Sequence, residues 1–549
     1  MAGIAYEQAL ANLRKTDYSA PPELIDKQTL LQNYHPDYQD GSTQKLVVGA
    51  NKGDACPTTL AKLLQSNAPI TDADLAGALV INTEVLVVGA GGAGCAAALE
   101  VSAAGRKVIL ATKLRIGDSN TVMAEGGIQA AVGEDDSPQT HYSDTLKAGH
   151  LCADKKLVAQ LAISAPKTIR WLIEQGMSFD REDTSSLSSK LLRKKPGGAT
   201  RARILSFKDY TGVEMMRVLR EAVELDERII VWNRCPLVEL LSDEDGNCVG
   251  GVIYDLSSHR FMLVRASKVI LATGGTGRLH LNNFPTSNHY GATADGMVLA
   301  YRIGAKLREI DSYQYHPTGV AWPSFRLGGL ISEAARSAGA YLINGEGKRF
   351  IDELLPRDIV SSAILRECAE GRGVEREGKV GVFLDVPDLE RRNPGILKDR
   401  LVSLSHLGKQ CNIDLTKEPV MVRPTLHYQN GGVVIDENGM TTVPNLYCVG
   451  EMSGGIHGRN RMMGNALQEI ITFGRRAGEH AAATANQYPA PKVGLFHLYN
   501  WQRELILSNL PTDVYGPILF PEYGNFDFHN EISLRTRTKH TVKSNNDSQ

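Results

Sequence analysis

The run Gly89-Ala-Gly91-Gly92-Ala-Gly94 places glycines at the spacing that holds a pyrophosphate. In such a run the first glycine makes a tight turn, the second lets the backbone approach the phosphates, and the third lets a helix pack close to the strand before it. The helix that follows offers free amides and a partial positive charge to the anion. A second stretch, RIGDSNTVMAEGGIQAA (115–131), sets the carboxylate of Glu125 directly before Gly126-Gly127 and reads as a loop that cradles a ligand. Two more glycine turns follow: ATGGTGR (272–278), with Thr273 and Gly274, and TADG (293–296). In the latter, Asp295 either reaches a sugar hydroxyl or caps the helix behind it.

The acidic residue that usually ends the second strand of a dinucleotide site is missing. Ala111-Thr112-Lys113 stands there, which makes Thr112 and Lys113 the candidates for polar contacts. Arg357 in PRD and the pair Glu333 and Arg336 in SEAAR read, in isolation, as a helix start and an i,i+3 surface ion pair. His316 and His427, in isolation, read as structural histidines. Only the motifs around these residues can move them toward chemistry.

The elements that must position these groups are legible as patterns. From Glu84 the chain reads strand (EVLVV), glycine turn, helix (AGCAAALEVSAAG) and strand (KVILA, 107–111), a βαβ unit. KVILATGG (268–275) and NLYCVGE (445–451) are further buried strands that end in glycine turns, and three such turns can converge on one ligand. Residues 307–426, rich in Arg and Glu, read as an inserted domain, and a helix is predicted over 463–485. Residues 1–82 form a leader with a helical start, a loop-like middle and a short helix after Pro57, with nothing that suggests chemistry. The polar end RTRTKHTVKSNNDSQ (535–549) is expected to be disordered.

Composition narrows the partners. With 60 Lys and Arg against 62 Asp and Glu, net charge -2, no global field favours nucleic acid or an anionic membrane. The 85–105 stretch approaches the length of a membrane span but carries the glycine turn and Glu100, so no direct span is expected. The eight cysteines show no C-x-x-C pair and no metal spacing, which predicts reduced thiols, a cytoplasmic location, no metal and no iron–sulfur cluster in this chain.

Taken together and in order, VVGAGGAG, MAEGGIQAA, KDYTG (208–212), ATGGTGR, TADG, QYHPTG (314–319), LISEAARSAGAYLINGEGKRF (330–350), PRDIV (356–360), TLHYQNGG (425–432), LYCVGE and HGRNRMMGNAL (457–467) resemble the flavoprotein subunits of fumarate reductases and succinate dehydrogenases, a family that includes L-aspartate oxidases. The resemblance covers approximately residues 83–487 and is nearest to soluble fumarate-reductase-like members with non-covalent FAD. It implies an α/β architecture: a Rossmann-like FAD-binding domain (83–306 and 427–490) with an inserted α+β capping domain (307–426), an N-terminal extension (1–82) and a shortened C-terminal region (491–549).

By the same resemblance FAD lies with its pyrophosphate at Gly89–Gly94, the loop Ser119, Asn120, Thr121, Glu125, Gly126 and Gly127 beside the isoalloxazine, and Glu451 near the ribityl chain. Ala466 stands beside Leu467 where a serine usually touches the flavin. In many members a histidine at the Asn120 position is bonded to the flavin 8α-methyl; an asparagine cannot make that bond, so the FAD is expected to be non-covalent. His316, Ser332, His427 and Arg461 fall where the family holds a dicarboxylate, Arg357 matches its proton donor, and Glu333 with Arg336 matches the relay that reprotonates the donor. The loop before Arg357, only IDELL, is shorter than in the family, which implies either a different approach of Arg357 or room for a larger substrate. Glu125 resembles the carboxylate of fumarate reductases rather than the glutamine of dehydrogenases.

The expected function is therefore fumarate reduction by the flavin-bearing member of a complex. Electrons come from a separate iron–sulfur subunit, and any membrane association is through partner subunits only. A flavin conduit in a larger redox complex and an L-aspartate-oxidase-like enzyme are the alternatives.

Overall fold

The computed structural model describes residues 3–183, 185–186, 188–486 and 492–519. The leader supplies a short strand, β1 (Ile4–Ala5), and three helices, α1 (Tyr6–Leu13), α2 (Lys27–Tyr34) and α3 (Thr58–Leu64). The start of α2 is set locally, since Asp26 accepts the Thr29 N–H at 2.9 Å and so satisfies one of the free amides of the first turn.

The body follows. β2 (Leu79–Val88) passes through Gly89 into α4 (Gly92–Ala103) and β3 (Val108–Ala111); β4 (Ile229–Trp232), β5 (Leu237–Ser242), β6 (Cys248–Asp255), β7 (Arg260–Leu271) and α5 (Asp295–Arg302) come after. β8 (Leu307–Arg308) then leads to the cap: β9 (Tyr313–Val320), α6 (Glu333–Ser337), β10 (Tyr341–Ile343), α7 (Arg357–Ala369), β11 (Val374–Arg376), β12 (Lys379–Asp385), α8 (Val402–Cys411) and β13 (Val420–Gln429). The chain returns through β14 (Gly432–Val434), β15 (Leu446–Cys448) and β16 (Ser453–Gly454) to α9 (Asn465–Thr484) and α10 (Phe496–Leu507).

A seven-stranded sheet in the order β4-β3-β2-β7-β6-β5, with β15 also on β7, forms the body. Its β4, β3, β2, β7 and β15 are mutually parallel, so their carboxyl ends and the turns after β2, β7 and β15 open on one side. Val85–Val88 and Val108–Ala111 are buried throughout, as strands covered on both faces must be. α4 is buried nearly all round because the sheet lies on one side and α9 on the other, which explains its run of alanines. The helix predicted over 463–485 is α9.

The cap is a second sheet, β1-β11-β12-β13-β9 with β10 on β12, and its own apolar core includes Leu342, Val360, Ile364, Leu384 and Val422. Body and cap are joined by two short crossings, β8 to β9 and β13 to β14, and β8, β14 and β16 form a small sheet at their base.

Two stretches differ from the sequence-based expectation. β2 begins at Leu79, inside the stretch assigned to the leader, because Leu79–Asn82 continue the parallel pairing with Met262–Arg265; Leu79 and Val80 are exposed, so no burial pattern marked them. Within 491–549, α10 packs on the body through Trp501 and Leu505, which belong to the main core. The polar end at 535–549 lies outside the described residues. All eight cysteines are unpaired, and among the described residues no helix is long and apolar enough to cross a membrane and no acidic, His or Cys cluster could hold a metal.

Candidate active site

A cavity of about 690 Å³ runs along the carboxyl ends of β2, β7 and β15 and under the cap. Every cofactor residue nominated from the sequence lines it except Gly94, which sits behind Gly89. Gly89 has φ +102°, which a side chain rarely tolerates, and a Cβ on Gly94 would strike the Gly89 carbonyl oxygen. No side chain caps the first turn of α4, and its Gly92 N–H meets only Thr121 Oγ1 at 3.2 Å. A helix end left open toward a long cavity fits a pyrophosphate, so the residues present suit FAD.

At one end, Lys113 Nζ donates to Thr293 Oγ1 (2.8 Å) and Asp295 Oδ2 (2.6 Å). Asp295 is thus an ion-pair partner; it does not cap α5, whose N-cap residue is Ala294. In the middle, Asn120 uses its whole amide: Nδ2 donates to Asn288 Oδ1 (2.7 Å) and Glu451 Oε2 (3.0 Å), and Oδ1 accepts the His289 N–H (2.6 Å). Burial pushes the Glu451 carboxyl up to about 7 against the opposing Gln429 N–H and Asn120 amide.

Glu125 also lies half-buried in the cavity wall, where its Oε1 accepts from Ser403 Oγ at 2.6 Å. Ser403 belongs to α8 of the cap, and its N–H goes to Asp209 Oδ2 at 2.7 Å, so one serine joins two carboxyls of the body. Burial pushes Glu125 up to about 7; the Ser403 hydroxyl opposes and Asp209 adds to the shift. A carboxyl raised in this way contributes stability below about 4.5, which is lost as pH rises through about 7. Glu125→Gln cannot ionise, so its Tm relative to wild type should climb between about pH 5 and 8 in thermal unfolding series. A flat difference across that range would show that Glu125 ionises as freely folded as unfolded.

At the far end, α7 begins at Arg357, so its guanidinium leaves the first helical turn toward the cavity. Arg357 Nε donates to Glu333 Oε2 (2.8 Å) and Nη1 to Gln314 Oε1 (3.0 Å); Arg461 Nη2 donates to the same Gln314 oxygen at 2.9 Å. Glu333 also takes Arg336 Nη2 (3.2 Å) and the Gly197 N–H (2.9 Å). Burial alone would raise Glu333, but Arg357 and Arg336 hold it down at about 2. The Glu333 and Arg336 pair is therefore buried, not a surface bridge, and Arg336 stands behind Glu333, outside the cavity wall. The short loop before Arg357 is braced by the body, where the Gly198 N–H meets the Leu354 carbonyl at 3.1 Å.

His316 and His427 face each other edge to face, with ring centres 5.1 Å apart. Burial, reinforced by Arg357 for His316 and by Arg461 for His427, holds both rings neutral. His316 Nδ1 accepts the Thr318 N–H at 3.3 Å, which assigns its ring proton to Nε2 as a free donor. Ser332 Oγ accepts the Ala334 N–H at 3.2 Å and keeps its own proton to donate. Arg461 is held over the Tyr428 ring (4.4 Å) while its Nε is buried without a partner; burial, then Arg357, lowers it to about 10. Tyr428 in turn donates to Glu469 Oε2 at 2.6 Å.

Gln314 was not singled out from the sequence, yet its oxygen joins the two arginines. The available signal was its place two residues before His316 on a strand, hence on the same face. Tyr428 and Glu469 were also missed, and no spacing rule pointed to Glu469.

A sheet whose parallel strands end in glycine turns on one cavity, with arginines and neutral histidines over its far end, has the layout of a dinucleotide-dependent oxidoreductase. The FAD binding domain family (FAD_binding_2) matches residues 84–467, and the chain belongs to it, as an FAD-dependent oxidoreductase related to fumarate reductase and succinate dehydrogenase flavoproteins. It is 40% identical over 414 residues to one of the subunits of fumarate reductase (CoM/CoB) from Methanothermobacter marburgensis, covering 73% of each chain. It is 36% identical over 430 residues to L-aspartate oxidase of Streptomyces coelicolor, covering 75% of this chain and 71% of that protein. Among solved structures it superposes on FrdA of Escherichia coli quinol fumarate reductase with TM-score 0.70 and 30% identity, covering 78% of this chain and 74% of that one. For Sdh1 of Mycobacterium smegmatis the values are 0.65 and 35%, with 81% and 74% covered.

Proposed function

We propose that the chain is the flavin subunit of a fumarate reductase and converts fumarate to succinate. The observation that carries this reading is charge: Arg336 and Arg357 share one ionised carboxylate, Glu333, while Arg461 bonds to Gln314 and to no carboxylate, so the arginines outnumber the carboxylates paired with them beside two neutral histidines. A dianion with no amine balances that surplus. L-Aspartate fits less well, since its ammonium would meet only Glu333, whose oxygens are taken by two arginines and an amide.

Bound FAD supplies the hydride. The chain's own residues do the rest. Arg461, His316, His427 and Ser332, all on the cavity wall, hold and polarise the carboxylates. Arg357 delivers a proton to the alkene carbon next to the one that takes the hydride, and Glu333 with Arg336 returns a proton to Arg357. Electrons are supplied through a separate iron–sulfur protein of the same complex. The Methanothermobacter relative, by its name one part of a larger fumarate reductase, supports that reading.

The test is anaerobic reduction of the holoprotein with a viologen dye, followed by fumarate. Reoxidation with formation of succinate is expected. Peroxide from L-aspartate in air, with no fumarate reduction, would replace this reading by the oxidase. Because Asn120 cannot bond the flavin, acid precipitation is expected to release all of the yellow colour to the supernatant; fluorescence that stays with the denatured chain on a gel would contradict it.

A further inference from the structure

The leader touches cap and body in turn, and between them it grips both ends of the same crossing. On the cap, β1 adds in parallel to β11 (Ile4 beside Val374), Tyr6 packs edge to face on Phe383 at 5.6 Å, and Leu30 of α2 is buried in the cap core with Ile364 and Val360 of α7. On the body, Leu46, Val48 and Leu60 join the main core. The segment β8 to β9 is one of the two crossings between body and cap. At its body end, Asn51 makes a paired contact with Leu307, Nδ2 to the carbonyl (2.8 Å) and Oδ1 from the N–H (2.7 Å). At its cap end, Asp37 Oδ2 accepts the Tyr313 N–H at 2.8 Å, and His35 lies edge to face on Tyr315. The next residues of that strand on the opposite face are Gln314 and His316.

We propose that residues 3–57 form a strap across the hinge, clasped at Asn51 and Asp37, that holds the cap over the flavin cleft, with Asp37 as the positioning residue for the strand that carries Gln314 and His316. The family match begins at residue 84, so the strap is a device added outside the matched domain. Two further observations support it. α2 backs α7, the helix whose first residue is Arg357, and Tyr34 OH donates to Glu370 Oε1 at its far end (2.7 Å), so the strap braces the element that carries the acid. The contacts that close the cleft from the front, Ser403 on Glu125 and Asp209, Gly198 on Leu354, Gly197 on Glu333 and Tyr210 on His406, lie away from the crossing, whereas the two clasps sit on the crossing itself.

Between the two clasps, Gln39, Asp40 and Gly41 are exposed. A site-specific protease sequence inserted at Asp40–Gly41 allows the folded holoprotein to be cut after purification, which separates the clasps without a folding step. Hydrogen exchange at the Ser403 and Gly198 amides should then speed up by about tenfold or more, with flavin content unchanged. The dissociation constant for malonate, read from the flavin spectrum, should rise in parallel; that arm rests on the proposed function. Unchanged exchange after complete cutting overturns the strap. If the uncut protein binds no dicarboxylate, the functional reading fails and the exchange result still decides the strap. Asp37→Ala should lower kcat more than it raises KM, whereas Tyr18→Phe, which removes only the bond to Asp385 on the cap, should change neither.

Discussion

Replacing Arg357 with alanine is expected to lower fumarate turnover by about three orders of magnitude or more, with the flavin still bound in full. Arg357 is the group placed at once on the cavity wall, on Glu333 and on Gln314, so its loss removes the proposed acid and also one of the two donors to the Gln314 amide oxygen. The cofactor cradle lies elsewhere, on the turns after β2, β7 and β15, so the yellow colour should survive. Stopped-flow reoxidation of dye-reduced protein measures the effect. A variant that retains even a tenth of the wild-type rate would move the acid role to another group.

Glu333→Gln is the second large effect, and its signature is a split. The change leaves Arg336 and Arg357 without the carboxylate they share, and breaking a buried pair in this way costs about 3–5 kcal/mol of stability. The sign with pH follows from the depressed carboxyl. Its contribution is present above 4.5 and disappears as pH falls toward about 2, so the Tm gap between wild type and variant should close in acid. In the site, the extra positive charge favours a dianion while the proposed proton return to Arg357 is cut. KM should therefore stay level or fall as kcat drops by about two orders of magnitude. A rise in KM with unchanged kcat would make Glu333 a substrate contact instead of a relay.

Much of the body was readable in advance because its signals are local. The Gly89–Gly94 run, the alternation of strand and helix after Glu84 and the apolar period of α9 each fall within one short window of sequence. The leader was not readable as a strap, since its two clasps, Asn51 and Asp37, are ordinary polar residues whose partners at 307 and 313 lie far along the chain. Glu125 shows the same limit. Its position before Gly126-Gly127 marked it as special, but the partner that fixes it, Ser403, sits on a helix of the cap with no motif around it. Sequence did place Glu333 and Arg336 one helical turn apart. What it could not tell was that the pair is buried, which turns a weak surface contact into the charge balance of the site.

The turns after β2, β7 and β15 also bear on how the protein is made. Gly89, Gly274 and Gly450 share one cavity although they lie far apart along the chain, and β7, on which both β2 and β15 pair, is formed between them. During synthesis the glycine run emerges early, yet the walls it needs are completed only when residues near Leu467 have left the ribosome. Contacts of such long sequence separation form late and slowly. A nascent chain that stops before β15 has one wall of the cradle missing. The cradle is thus complete only late in synthesis, after β15 and the turn that follows it have emerged.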